Sequence, residues 1–276
     1  MFSLNCKGVL HRFEAPVVMG IINVTPDSFF EESRKSSVDA VLKKADQMLR
    51  DGAAMIDIGG QSTRPGSSRV PADEERQRVI PAIEALVKNL PGIFISIDTF
   101  YASVAKDAVD AGALMVNDVS AGTIDQNLLR VVASLQVPYV LMHMQGTLET
   151  MQRAPEYKNV VTDVFDFFSF KIKALQDLGI NDIILDPGFG FGKTATHNFT
   201  LLKALAYFKL FQKPILIGLS RKATVYKTLA ITAEEALNGT TVLNTIALLN
   251  GAAILRVHDV KEAVQAIQLT TKYTHA

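Results

Sequence analysis

Five short apolar runs in this chain end in a carboxylate or an amide. Val17–Val24 carries the lone amide Asn23 and breaks at Thr25-Pro26-Asp27. Asp57 closes Ala54-Met55-Ile56, Asp98 closes Ile93-Phe94-Ile95-Ser96-Ile97, Asn117 and Asp118 close Ala113-Leu114-Met115-Val116, and Asp186 closes Ile183-Ile184-Leu185. Short Ile-, Val- and Leu-rich runs suit strands buried on both faces, the kind that form a parallel sheet covered by helices. A buried strand that ends in polar side chains and passes into a loop presents reactive groups at one end of the sheet. One such ending is ordinary; five in sequence describe a site.

The pattern extends to eight strands, near residues 17–24, 54–58, 93–97, 114–117, 138–142, 182–185, 214–218 and 253–257. Helical periodicity fills the gaps. Val38, Val41, Leu42, Ala45, Met48 and Leu49 share one helix face, with Ser36 and Asp39 spaced as a capping box and Gly52 placed for a left-handed cap. Thr162 to Leu178 and Ala233 to Asn250 read as further helices, and Pro81 predicts a kink or two shorter helices in the second helical region. Eight β–α units in 276 residues predict a single α/β domain, a (β/α)8 TIM barrel over 17–276. Residues 1–16 form a short N-terminal extension, placed as a hairpin under the barrel. A doubly wound open sheet is the alternative. It would gather its polar strand ends at one crossover, whereas here they are spread along the chain.

Composition narrows the partners. Lys and Arg together number 28, as do Asp and Glu, so no global field draws the chain to nucleic acid or an anionic membrane. Any anion site must be local. The single cysteine, Cys6, excludes an intrachain disulfide and a zinc cluster. No run approaches the length of a membrane span, and residues 1–14 lack the apolar core of a signal peptide, so a cytoplasmic protein is expected.

In such a barrel the C-terminal ends of the strands form the functional face. Ile254, Arg256 and His258 point one way along the last strand, and an Arg and a His there need polar partners. A salt bridge to a neighbouring carboxylate would satisfy the arginine; with several loops converging, an oxyanion or phosphate site is the stronger expectation. Asp98, Asn117 and Asp186 could bind magnesium through hard oxygen ligands, or line a slot for a flat heterocycle whose amino-pyrimidinone edge a carboxylate and an amide would match. His143 is balanced between a satisfied interior histidine and a site residue. Asp186-Pro187-Gly188-Phe189-Gly190-Phe191-Gly192-Lys193 fails both nucleotide-loop spacings, because Pro187 stands where a P-loop needs Gly and Lys193 where a dinucleotide loop does. It reads as a loop with Phe189 and Phe191 as apolar walls. Ser220-Arg221-Lys222, at a helix start, could hold an anionic group. Gly59 to Gly66 looks like a loop able to close over a ligand, with Arg64 at its tip.

Taken together these residues resemble the dihydropteroate synthase family, folate-pathway enzymes with a pterin-binding barrel. The resemblance runs in the family's order through Gly20-Ile-Ile-Asn-Val-Thr-Pro-Asp-Ser-Phe29, Asp57-Ile-Gly-Gly-Gln-Ser-Thr-Arg-Pro-Gly66, Ile97-Asp-Thr99, Val116-Asn-Asp118, Met142-His-Met-Gln-Gly146, Asp186 to Lys193, Ser220-Arg-Lys222 and Arg256-Val-His258. It implies condensation of 7,8-dihydropterin-6-ylmethyl diphosphate with p-aminobenzoate, magnesium as cofactor, a homodimer and inhibition by sulfonamides. Carried over residue by residue, Asp98, Asn117, Asp186 and Lys222 would hold the pterin. Asn23, Arg256 and His258 would bind diphosphate, with Asn23 also on the metal. Asp27, Thr63 and Arg64 would belong to closing loops, and Pro65, Phe191 and Ser220 would border the p-aminobenzoate pocket. Asp27, Arg64, Lys222, Arg256 and His258 form the implied catalytic set. The chain departs from the family at Phe29-Phe-Glu-Glu-Ser-Arg34, at Gln61 in place of Glu, and at Ala223 in place of Ser. A pterin-binding relative without catalysis and a pterin-dependent methyltransferase are the alternatives within that resemblance.

Overall fold

The computed structural model describes residues 1–24, 34–61, 69–151 and 155–276. β1 (Phe2–Cys6) and β2 (Val9–Phe13) pair antiparallel about a two-residue turn at Lys7 and Gly8. Eight parallel strands follow: β3 (Val17–Asn23), β4 (Met55–Gly59), β5 (Ile95–Asp98), β6 (Met115–Asp118), β7 (Tyr139–Met142), β8 (Ile183–Asp186), β9 (Leu216–Ile217) and β10 (Ile254–Val257). Their order in the sheet is β8-β7-β6-β5-β4-β3-β10-β9. A parallel bridge between Leu185 and Ile215, with the Leu185 N–H donating to the Pro214 carbonyl at 2.9 Å, joins β8 to the approach of β9. The sheet therefore closes into a (β/α)8 barrel, and the open-sheet alternative is overturned.

Alternation along each strand divides its residues between two cores. Ile56, Ile58, Ile95, Ile97, Val116, Leu141 and Leu185 face outward into one large apolar layer shared with the helices. Inward, Met19, Met55, Phe94, Met115, Val140, Ile184, Leu216 and Ile254 form a separate cluster with Leu4 and Cys6 of the hairpin, which thus seals the barrel floor. Both faces of every central strand are buried, so these strands are almost continuously apolar until they reach the mouth.

The helices are α1 (Arg34–Arg50), α2 (Ala72–Asn89), α3 (Ala102–Asp110), α4 (Leu128–Leu135), α5 (Val160–Asp177), α6 (Ala195–Lys203), α7 (Ala223–Leu229), α8 (Leu237–Leu249) and α9 (Val260–Thr274). Three expectations shift. Ser36 lies inside α1 rather than ahead of it, so it is not the cap. α2 runs through Pro81 as one helix, not two. The helix expected from Ala233 begins only at Leu237. Among the described residues no helix is long and apolar enough to cross a membrane.

Candidate active site

At the barrel mouth the inward positions turn polar. Arg256, on β10, reaches across the barrel: its Nε donates to Asp57 Oδ2 at 2.6 Å and its Nη2 to Asp98 Oδ2 at 2.6 Å. Asn117 Nδ2 donates to the same Asp57 oxygen at 3.0 Å. The carboxylate partners considered for Arg256 from sequence are thus present. No hydrogen bond occupies its Nη1 among the described residues, so donors remain for an anion. Burial works against the guanidinium, but Asp57 and Asp98 outweigh it and hold the Arg256 pKa above its ordinary value. Burial pushes Asp98 up to about 7; Arg256 opposes this, while Asp57 and Asp118 add to it. Asp57 Oδ1 and the Ser96 hydroxyl are buried without a hydrogen-bond partner among the described residues. An incompletely satisfied polar well is expensive to maintain, which points to function rather than to stability.

Asp186 and Lys222 complete the well. The Gly188 N–H donates to Asp186 Oδ1 at 2.7 Å, and burial raises the Asp186 pKa. Lys222 Nζ donates to the Phe189 carbonyl at 2.7 Å and lies 4.6 Å from the centre of the Phe191 ring. Burial lowers its pKa to about 8, with Asp186 opposing. Asp98, Asn117, Asp186 and Lys222 are therefore brought together, while Asn23 stands partly buried at the end of β3 beside them.

Beside the well, Ser220 Oγ and His258 Nδ1 are 3.0 Å apart. Burial first, then Arg256 and Lys44, lower the His258 pKa to about 4, which favours the neutral ring. Two expectations are corrected here. Arg221 does not face an anion site: it clamps Asp259 through Nε at 2.9 Å and Nη2 at 2.8 Å, and donates to the carbonyls of Ala233 and Glu234. Phe189 is fully buried in the helix-facing core, so of the two proposed walls only Phe191 faces the mouth, against Phe100, Val119, Met142, Leu148 and Met151. His143 is a satisfied interior histidine beside Lys193. Asp27, Thr63, Arg64 and Pro65 lie outside the described residues.

Sequence reasoning noted Asp57 as a strand end but did not carry it to the site, and it missed Glu75 and Lys193. Glu75 is fully buried below Gly60, neither oxygen has a hydrogen bond of good geometry, and burial raises its pKa to about 7. The Thr99 side chain offsets part of that rise. A signal existed: position 75 shares the buried stripe of Val79, Ala82, Ile83 and Leu86. Asp73-Glu74-Glu75 was instead easy to pass over as acids favouring a helix N-terminus.

A closed (β/α)8 barrel with buried charges gathered at the strand C-termini is the architecture of a barrel enzyme. The family model for pterin binding enzymes matches residues 19–258, nearly the whole barrel, and the chain belongs to that family. Dihydropteroate synthase of Escherichia coli K12 is 42% identical over 269 residues, covering 97% of this chain and 95% of that protein. Among solved structures, Yersinia pestis dihydropteroate synthase in a sulfonamide drug complex superposes with a TM-score of 0.93 at 40% identity, covering all of both chains. The Xanthomonas albilineans enzyme in complex with 7,8-dihydropteroate gives 0.89 at 38% identity over 99% of each.

Proposed function

We propose that this chain joins 7,8-dihydropterin-6-ylmethyl diphosphate to p-aminobenzoate, forming 7,8-dihydropteroate and diphosphate in folate biosynthesis. The observation that carries this is the well itself, in which Asp98, Asn117, Asp186 and Lys222 adjoin Arg256 and His258. The acids and the amide match a pterin's donor-and-acceptor edge, and Lys222 adds a donor beside them. Arg256 Nη1, which has no hydrogen bond among the described residues, and His258 suit the diphosphate. A pterin-binding module without catalysis would need the first group but not the second.

In the reaction the bond between the pterin methylene carbon and the diphosphate oxygen breaks, and its electron pair leaves with diphosphate. The arylamine nitrogen, neutral near pH 7, then bonds to that carbon and releases a proton. Preorganised cations at the leaving group favour this over any rearrangement of solvent. Burial first, then Arg256, Lys44 and Arg221, lower the His258 pKa, and diphosphate charge would oppose that shift and favour protonation. Phe191 and Ser220 would border the space for the arylamine, the role the family resemblance also gives to Pro65. Thr63, Arg64 and Asp27 would close over both substrates and keep water from the carbon.

Magnesium fits this site in one way. No group of three metal-binding side chains exists among the described residues, and Asp57 and Asp98 already share Arg256. Magnesium often binds through substrate phosphates with few protein ligands, and the Asn23 amide oxygen would supply one. When bound, the ion offsets charge on the departing diphosphate. A homodimer is supported by the exposed apolar stripe of Val242, Ile246 and Leu249 on α8, with Leu269 and Tyr273 exposed on α9.

The test is diphosphate release from the pterin diphosphate with magnesium, with and without p-aminobenzoate. Release that depends on the arylamine and yields dihydropteroate is expected. Tight pterin binding with no such release would overturn the proposal.

A further inference from the structure

The loop after Asp186 folds around one side chain. Lys193 is 3% exposed. Its Nζ lies 2.8 Å from His143 Nδ1, 3.0 Å from the carbonyl oxygens of both Gly188 and Phe191, and 3.2 Å from that of His143. Burial, with Lys193 adding to it, lowers the His143 pKa to about 2, so its ring is neutral and Nδ1 serves as an acceptor. Four acceptors thus surround three protons. Burial draws the Lys193 pKa down to about 7, opposed by Asp186, while the surrounding carbonyl dipoles favour the ammonium.

The backbone is built for that enclosure. Gly188 and Gly192 have φ of +70° and +63°, and a Cβ would stand 1.9 Å from the His143 oxygen at the first and 2.4 Å from the Gln145 oxygen at the second. Only glycine permits both the left-handed backbone and this approach. The β7 and β8 loops therefore lie back to back, with the Tyr157 hydroxyl donating to the Gly192 carbonyl at 2.7 Å. No helix or strand runs through residues 187–194, yet they carry the Phe191 ring and the Phe189 carbonyl that anchors Lys222. Side chains hold them: Asn198 Oδ1 accepts from the Gly190 N–H at 3.0 Å, and Lys193 ties the carbonyls of Gly188 and Phe191 to the β7 loop.

We propose that Lys193 is a positioning residue for the arylamine subsite: its ammonium clamps the β8 loop to the β7 loop and so fixes the Phe191 ring. This deepens the proposed function and rests on it, since Phe191 is there taken to border p-aminobenzoate. Lys193 itself touches no substrate. Lys222 retains its attraction to Asp186 and Asp98 when the loop loosens, so the pterin side is less affected.

Two measurements on the full chain test this. In Lys193→Met, the amides of Gly188, Gly190 and Phe191 should exchange with solvent at least ~10-fold faster, while those of β3 and β8 keep their protection. In steady state the KM for p-aminobenzoate should rise by about tenfold, with the KM for the pterin diphosphate moving less than about threefold. The decisive comparison is a cycle with Phe191→Ala, in whose background Lys193→Met should change the arylamine KM by less than about twofold. Multiplying effects, equal changes in both KM values, or unchanged exchange would overturn the clamp. Should Lys193→Met fail to fold, His143→Ala removes one acceptor and carries the same test at smaller amplitude. Wild-type turnover separates the two levels: a wild type that makes no dihydropteroate refutes the function, and the exchange measurement then decides the clamp alone.

Discussion

The floor and the mouth of this barrel are made by the same strands, two residues apart, yet they obey opposite rules. Met55 lies below Asp57, Met115 below Asn117, Ile184 below Asp186 and Ile254 below Arg256. The lower layer is apolar, and the hairpin covers it with Leu4 and Cys6. Burial pushes the Cys6 thiol up to about 12, which leaves it an inert packing residue. In the upper layer the three carboxyls are as buried, the Arg256 guanidinium and the Lys222 ammonium are partly buried, and the hydrogen bonding among the described residues is incomplete. One end of the barrel stabilises the fold, and the other draws on that stability to keep charges out of water.

If the division holds, substitutions at the two ends should fail in different ways. Arg256→Ala strands Asp57 and Asp98 and removes the cation assigned to diphosphate. It should lower kcat/KM by at least about 1000-fold, roughly 4 kcal/mol. It should also cost about 3–5 kcal/mol of stability, because two buried carboxylates lose their shared partner. Steady-state kinetics and denaturant melts on one preparation check both; near-normal kcat/KM would remove Arg256 from the mechanism. Met115→Ala, two residues below Asn117, should cost about 2–5 kcal/mol through the cavity it leaves. Folded molecules should keep their kcat/KM to within about twofold. Loss of turnover without loss of stability there would mean that the floor and mouth are not separable.

How much of this was legible follows from the same contrast. The strands and their polar ends were readable because a parallel barrel strand is an unbroken apolar run until it reaches the mouth. Asp98, Asn117 and Asp186 stood out for that reason, with no structure needed. Strand starts fell about one residue early, and Pro81 suggested a kink or two shorter helices where α2 runs on as one. Which cation meets which carboxylate was not readable. Arg221 and Arg256 are both arginines near strand ends, but one braces Asp259 at the rim and the other spans the well. That difference depends on Arg256 pointing into the barrel from β10 while Arg221 sits in the turn after β9. Lys193 was hidden inside a motif whose glycines drew attention to nucleotide binding, and its purpose appears only when the β7 loop is laid against it.

Glu75 sharpens the comparison from outside the barrel. It lies under Gly60, just past the end of β4, and neither of its carboxyl oxygens has a hydrogen bond of good geometry among the described residues. Burial raises its pKa to about 7, with Asp98 adding to the rise and Thr99 and Arg78 opposing it. In the unfolded chain the pKa returns to about 4.3. A folded pKa above the unfolded one means that the stability is fully present at low pH. It is lost as pH climbs from about 4.3 through about 7. Glu75→Gln removes that titration while keeping the shape. It should match the wild type near pH 4.5 and exceed it by roughly 2–3 kcal/mol at pH 8. Carboxyls that do not interact with Glu75 cancel in the difference; Asp98, which does, ionises more easily once Glu75 is replaced and adds to the stability gained at pH 8. Paired thermal melts at the two pH values make the check. A difference that does not grow with pH would show that the folded protein does not raise the Glu75 pKa.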